Sequence, residues 1–139
     1  MASTTDPKDF VRDYLGTVFT GGDLSSLGEF VAGDAFLANV TELVTRWRSA
    51  FSDLRIDVRG VLVDGDRVVT EERMTGTHSG VYESPWLGPI QPTGRTFEWD
   101  RIAIRDLAQG RFVDGYWKGE ELELLEQLGV HVRVVPEPE

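Results

Sequence analysis

A chain of 139 residues, 40% hydrophobic and 27% charged, fits a globular domain, and no apolar run approaches the ~18 residues needed to cross a bilayer. The net charge of −10 opposes nucleic-acid binding, and the lack of cysteine excludes disulfides and thiolate sites. Because the first residues also lack the basic and apolar parts of a signal peptide, we expect a cytoplasmic protein that binds neither membrane nor nucleic acid.

Three amphipathic segments make up the first third of the chain. Asp6 and Pro7 suit the cap and the first residue of a helix, and apolar residues then recur to Phe19 at three- and four-residue spacings. Gly21-Gly22 and Gly33-Asp34 separate two further amphipathic stretches. The pattern predicts three helices, over residues 7–20, 24–31 and 37–51.

A period of two begins at Leu54, where apolar and charged residues alternate. This alternation predicts strands over residues 54–59, 67–78, 96–105 and 111–117, with turns at Asp64-Gly65-Asp66 and Gln109-Gly110. The glycines and prolines of residues 79–91 predict a loop between the second and third of these strands.

The C-terminal part begins with a leucine-rich stretch from Glu120 to Leu128 that ends at Gly129 and predicts a short helix. Residues 130–135 are compatible with a further β segment, and residues 1–5 and 136–139 are expected to be flexible. Helices followed by consecutive antiparallel strands are typical of an α+β fold. Because the chain has no repeats and no linker, we expect one domain over residues 1–139.

Several short motifs follow one another in a recognisable order. They are Gly21-Gly22-Asp23, Phe51-Ser52-Asp53-Leu54, Gly76-Thr77-His78, Pro92-Thr93-Gly94-Arg95 and Gln127-Leu128-Gly129. In this order and spacing, over residues 10–130, the chain resembles the SnoaL-like polyketide cyclase family. The resemblance implies an NTF2-like cone, in which a curved antiparallel sheet packs against N-terminal helices around one internal pocket.

The same resemblance carries expectations about ligands and assembly. Bacterial proteins of this kind act without cofactors on polyketides or other hydrophobic molecules, and they are frequently dimers or tetramers. We therefore expect a small hydrophobic ligand, polyketide- or terpenoid-like, no cofactor, and a homodimer or homotetramer. Two distant histidines and no cysteine predict that no metal is bound.

The residues that perform the aldol step in the family's cyclases are not matched. The resemblance places their aspartate base, ten residues before the Gln of Gln127-Leu128-Gly129, at Trp117. The accompanying Gln and His fall on Arg101 and Ala103. The resemblance therefore implies that this chain does not use the aspartate-dependent aldol mechanism.

Arg101 is the first candidate for a catalytic role. Periodicity alone would place the neighbouring isoleucines in the core and Arg101 outside, whereas the resemblance implies that Arg101 faces the pocket with Trp99 and Trp117. An inward guanidinium can hold an anionic or enolate oxygen, or stack on an indole. The alternative is an internal ion pair with Glu72, Asp100 or Asp114.

Three carboxylates are further catalytic candidates. One acid of Glu71-Glu72 must face inward, and an unpaired, buried Glu72 would have a raised pKa that suits a general base, whereas pairing with an arginine is the alternative. Glu120 matches an acid that many family members carry at the start of the last helix, or it offsets the helix dipole. Asp114 lies on the last predicted strand.

A histidine and six aromatic residues complete the candidate site. His78 ends a predicted strand, and it is either an acid–base group near neutral pH or a hydrogen-bonded structural residue. Trp86 belongs to the 79–91 loop, which caps the pocket or packs on a neighbouring subunit. The side chains expected to bind substrate or to fill the core are Tyr14, Trp47, Trp86, Trp99, Tyr116 and Trp117.

These residues support two classes of function. The first is a cofactor-independent enzyme, resembling a cyclase, isomerase or hydratase, that performs acid–base chemistry with an inward acid opposite Arg101. The second is a non-catalytic ligand-binding or homodimeric scaffold protein, which the loss of the cyclase residues favours. We prefer the enzyme.

Overall fold

The computed structural model describes residues 6–133 and 135–138. Helix α1 spans Pro7–Tyr14 and continues as a wider π-helical turn, Leu15–Thr20. A 3₁₀ turn, Leu24–Ser26, leads into α2, Leu27–Phe30, which is followed by the long helix α3, Asp34–Ala50. Helix α4, Glu121–Gln127, follows the last strand. All helices that the pattern predicts are therefore present.

Four long strands form one curved antiparallel sheet. They are β1, Arg55–Asp64; β2, Arg67–Thr77; β5, Thr96–Ala108; and β6, Arg111–Gly119, and they lie in the order β1-β2-β5-β6. The short strands β3, Tyr82–Ser84, and β4, Gly88–Ile90, pair as a separate hairpin. The helices pack on one face of the long sheet, which confirms the α+β architecture.

Two local predictions differ from the structure. The first helix changes to a π-helix after Tyr14, marked by a hydrogen bond from Gly21 N to Gly16 O of 2.8 Å. Apolar spacing over one turn does not distinguish this widening from an ordinary α-helix. The loop predicted over residues 79–91 contains the β3–β4 hairpin, whose three-residue strands are too short for a periodic signal.

The ends of the chain bear on three further expectations. Among residues 130–133 and 135, none belongs to a strand, so the additional β segment is wrong for that part of the chain. Residues 1–5 and 139, expected to be flexible, lie outside the described residues, and residues 136–138 are exposed and irregular. Within the described ranges, every helix is too short or too polar to traverse a bilayer.

Strand β5 decides which side chains reach the interior. Arg101 and Ala103 on this strand are buried beneath the helices, whereas Ile102 points to the opposite face and is 44% exposed. The orientation implied by the resemblance is therefore confirmed, and the one suggested by hydrophobicity is wrong.

Candidate functional site

A buried cluster of charged side chains lies on the inner face of the sheet. Glu72 on β2 pairs directly opposite Arg101 on β5 in the strand register. Glu72 Oε1 accepts from Arg101 Nε at 2.8 Å and lies 2.8 Å from Arg101 Nη2, and Oε2 accepts from Arg105 Nη1, also at 2.8 Å. Thr70 Oγ1 donates to Oε2 as well. Because side chains on one face of a strand recur every second residue, the register brings all four groups together.

The two guanidiniums keep Glu72 ionised. Burial alone would raise the pKa of Glu72, but attraction to Arg101 and Arg105 outweighs it and lowers the pKa to about 2. Burial lowers the pKa of Arg101, while Glu72 counteracts that effect. The ion-pair alternative for Arg101 and Glu72 is therefore confirmed. Because Glu72 is paired, it lacks the raised pKa that an unpaired general base would have, and its part in catalysis stays a prediction.

One nitrogen of Arg101 is left over. Arg101 is 2% exposed, and its Nη1 is buried without a hydrogen-bond partner in the described part of the chain. The guanidinium carbon lies 5.1 Å from the Trp117 ring centroid and 5.8 Å from that of Phe19. The buried Arg101 thus keeps one nitrogen without an acceptor among aromatic side chains. An unsatisfied buried donor costs free energy of folding unless another molecule accepts a hydrogen bond from it.

Arg101 borders a small interior cavity of about 50 Å³. The cavity lies between the sheet and the helices, and it leaves room for only a few atoms. Two cations and a set of mostly apolar residues line it: Tyr14, Phe19, Phe36, Val40, Leu43, Arg101, Ala103, Arg105, Phe112, Gly115, Tyr116 and Trp117.

A larger aromatic groove of about 620 Å³ adjoins the interior cavity. Leu43 and Trp117 line both spaces, so they form the partition between them. The groove runs along α3 and the β3–β4 hairpin, and it is lined by Leu43, Arg46, Trp47, Tyr82, Glu83, Ser84, Pro85 and Trp117. Its size is typical of a pocket for a small organic ligand.

Three of the predicted tryptophans meet at this partition. The Trp47 and Trp99 rings stack 5.9 Å apart, and Trp117 contacts both edge-on at 5.9 and 5.7 Å. Trp99 is fully buried, whereas Trp117 is only partly buried. Together with Tyr14, Glu72 and Arg101, these side chains form one continuous cluster at the interior cavity and the aromatic groove. Their part in binding or catalysis stays a prediction.

Three other predicted residues, Glu120, Asp114 and Trp86, do not border the interior cavity, whereas a fourth, Tyr116, is among the residues that line it. Glu120 is exposed and borders a charged basin on the outer face of the sheet, and its carbonyl accepts a 2.8 Å hydrogen bond from Trp99 Nε1. Asp114 is exposed and accepts from the backbone of Gly115. Trp86, at the tip of the hairpin, is 59% exposed, and Tyr116, opposite Ile104 on the outer face, is 56% exposed. A catalytic or binding role for these four residues stays a prediction.

His78 is fully buried at the end of β2, away from the charged cluster. The Thr93 backbone N–H donates to His78 Nδ1 at 3.2 Å, and Gly94 N donates to the His78 carbonyl at 3.0 Å. Burial lowers the pKa of His78 below its ordinary value, so the ring is neutral at pH 7. These contacts match the structural alternative, in which His78 holds the Pro92-Thr93-Gly94-Arg95 turn against the sheet.

The structure reveals a buried carboxylate that the sequence does not single out. Glu121, the first residue of α4, accepts from Tyr82 Oη at 2.8 and 2.9 Å and from Ser84 Oγ at 3.0 Å. Burial and the hydrogen bond to Glu121 raise the pKa of Tyr82 far above its ordinary value, so the phenol stays neutral. The adjacent acids Glu120 and Glu121 both lie at a helix start, and only the fold shows which one is buried.

Replacing Glu121 with alanine should lower the free energy of unfolding by about 1–3 kcal/mol, because the buried Tyr82 and Ser84 hydroxyls lose their acceptor. Urea unfolding followed by circular dichroism measures the effect. Glu123→Ala is the matched control, since Glu123 shares the first helical turn but is exposed. Equal losses in the two variants would mean that the hydrogen bonds to Glu121 contribute nothing beyond a helix-dipole effect.

The structure also bears on metal ligands. Within residues 6–133 and 135–138, no three or more His, Asp or Glu side chains gather in a group suited to a metal ion.

Comparisons with known proteins give one matching sequence family and several solved structures with the same fold. A sequence profile of SnoaL-like polyketide cyclases matches residues 10–128. No curated protein sequence gives a significant match. Among solved structures, TsrD from Streptomyces laurentii superposes with a TM-score of 0.76 at 23% identity, covering 91% of this chain and 99% of its own.

Two further structures extend the comparison. IdmH from Streptomyces antibioticus, a candidate polyketide cyclase, is 27% identical with a TM-score of 0.72, covering 91% of this chain and all of its own. A SnoaL-like polyketide cyclase from Agrobacterium tumefaciens reaches a TM-score of 0.74 at 16% identity, with 91% and 100% of the two chains covered. The cone fold is therefore common to all of them.

Proposed function

The chain belongs to the SnoaL-like polyketide cyclase family, and from this we propose that it is a cofactor-independent enzyme acting on a small hydrophobic, polyketide- or terpenoid-like carbonyl compound. The reaction is an enolisation, cyclisation or isomerisation that passes through an enolate. The proposal differs from the aspartate-dependent aldol step because Trp117 stands where the aldol cyclases have their base.

The free Nη1 of Arg101 carries the proposal. A buried cationic donor with no partner in the described chain is suited to the oxygen on which charge develops when a carbonyl becomes an enolate. Both Glu72 contacts hold the guanidinium in place before the substrate arrives. Such preorganised donors stabilise a transition state more than the neutral ground state.

Tyr14 is the second donor at this position. Burial raises the pKa of Tyr14 to about 12, with Arg105 and Arg101 opposing the increase, so the phenol keeps its proton at neutral pH. Tyr14 lines the interior cavity beside Arg101, where its hydroxyl can donate to the same substrate oxygen. Because Glu72 is held as an ion pair, the α-proton passes to solvent water on the side of the open aromatic groove, and the electron pair of the broken C–H bond moves onto the carbonyl oxygen.

The proposed substrate lies mainly in the aromatic groove. The interior cavity is too small for a ring, whereas the groove of about 620 Å³ suits one or two fused rings stacked on Trp47 or Trp117. The carbonyl end passes between Leu43 and Trp117 toward Arg101. Movement of the Trp117 side chain, which is only partly buried, opens that passage.

Hydrogen–deuterium exchange tests this proposal without knowledge of the natural substrate. The wild-type protein should accelerate exchange of the α-protons of an aryl-substituted 1,3-diketone in D₂O, followed by proton NMR. Arg101→Gln should reduce the protein-dependent rate about 10²-fold, since one oxyanion donor contributes about that much. Arg55→Gln serves as the control, because Arg55 is exposed on β1.

A ligand-binding protein without catalysis is the second candidate. It is favoured by the Glu72 ion pair, which leaves no unpaired carboxylate at the interior cavity among the described residues. Exchange at the buffer rate, with the diketone still bound to the protein, would support this candidate and contradict the enzyme.

A further inference from the structure

The buried charges beneath the helices do not balance. Arg101 and Arg105 each carry one positive charge, because arginine stays protonated in proteins, and Glu72 carries one negative charge. Within the described ranges, Glu72 is the only carboxylate within 4 Å of either guanidinium. The cluster therefore holds a net charge of +1 in the core.

A net charge in a dry interior is costly unless a counter-charge accompanies it. The remaining neighbours of Arg101 offer none: the Trp117 and Phe19 rings contact the guanidinium, and Tyr14 is neutral because burial raises its pKa. The open side of the cluster is the interior cavity, which borders both arginines. The interior cavity therefore offers room for the missing negative charge.

We propose that the interior cavity binds the head of an anionic ligand, a planar and delocalised oxyanion attached to a hydrophobic ring. Carboxylates and the enolates of 1,3-dicarbonyl compounds share this chemistry, and both match the flat donor edge of a guanidinium. The inference rests on the proposed site and specifies the charge of the molecule that occupies it.

The dimensions fit such a ligand. The interior cavity of about 50 Å³ accommodates the oxyanion head, which contacts Arg101 Nη1. The ring lies in the aromatic groove beyond Leu43 and Trp117, against the indoles of Trp47 and Trp117. An anionic ligand neutralises the positive charge of the cluster when it binds, whereas an uncharged molecule of the same shape does not.

Pairs of isosteric ligands test the inference on the unmodified protein. Isothermal titration calorimetry at pH 7.5 compares 2-naphthoate with 2-naphthamide, and an ionised 2-aryl cyclic 1,3-dione with its monoketone analogue. At least one anion should bind about 10-fold or more tightly than its neutral partner, as expected for a charge-assisted contact in a dry site. The pair with the larger ratio of anion affinity to neutral affinity shows whether the cavity prefers a carboxylate or an enolate.

The variant Arg101→Met tests whether the charged cluster causes the preference for the anion. The variant leaves Glu72 paired with Arg105 and Thr70, so the remaining cluster is neutral, and its fold is checked by near-ultraviolet circular dichroism. The anion-to-neutral ratio should fall to about 1, whereas Arg55→Met, exposed on β1 and away from both the cavity and the groove, should retain it. Equal affinities within both wild-type pairs, no binding of any of the four compounds, or a preference that Arg101→Met retains would overturn the inference.

The outcomes separate this inference from the proposed enzymatic function. An anion preference without α-proton exchange retains the anion site and rejects the enzyme. Exchange without an anion preference retains the enzyme and rejects the anion site.

Discussion

Replacing Glu72 with glutamine should lower the free energy of unfolding by about 3–5 kcal/mol, the range expected when one partner of a buried ion pair is removed. The substitution keeps the shape of the side chain but leaves two buried guanidiniums without a negative charge. Urea unfolding at pH 7, monitored by far-ultraviolet circular dichroism, gives the difference.

Glu71→Gln is the matched control for this experiment. Glu71 is the preceding residue on β2 but points to the opposite, solvent-exposed face. Its substitution should change the free energy of unfolding by no more than about 0.5 kcal/mol. Comparable losses in the two variants would show that the charge of Glu72 is unimportant for the core.

The pH dependence of stability gives a second measure of the same ion cluster. The folded state holds the Glu72 pKa at about 2, against 4.5 for the free side chain. The stabilisation, on the order of 3 kcal/mol, is therefore complete above about pH 4.5 and is lost as the pH falls toward 2. Wild-type stability should fall more steeply than that of Glu72→Gln in this window. Parallel curves would contradict the lowered pKa.

Strand β5 illustrates what local sequence patterns do and do not determine. Alternation identifies the strand, but Trp99, Arg101 and Ala103 on one face and two isoleucines on the other do not say which face is inside. Hydrophobicity alone gives the wrong answer, because Arg101 is buried with a charge partner from another strand. Only the family resemblance, which carries information about the whole fold, orients this strand correctly.

The charged cluster marks the limit of sequence reasoning about the candidate site. Two adjacent acids on one strand, Glu71 and Glu72, mean that one of them faces inward. The partners of the inward acid depend on the register between β2 and β5, whose paired residues are about thirty positions apart in the chain. The same limit explains Glu121, whose partners Tyr82 and Ser84 belong to a hairpin that the sequence predicts only as a loop. Long-range pairing, and not residue type, decides which carboxylates are buried.

Truncating Trp99 to alanine should cost about 3–5 kcal/mol of unfolding free energy, as expected for a large aromatic side chain removed from a packed core. Trp99 is fully buried, stacks on Trp47 and donates through Nε1 to the Glu120 carbonyl at the start of α4. Its loss leaves a void in the core and removes the edge-on contact between the Trp99 and Trp117 rings. Urea unfolding followed by far-ultraviolet circular dichroism measures the change.

Trp86→Ala provides the matched comparison, because it removes the same side chain from an exposed position, 59% accessible, at the tip of the hairpin. Its effect should stay within about 0.5 kcal/mol. Both variants retain three of the four tryptophans, so differences in unfolding free energy reflect position and not the kind of residue removed. If Trp99→Ala were no less stable than Trp86→Ala, the indoles of Trp47, Trp99 and Trp117 would not form a tightly packed cluster. The proposed site depends on that cluster.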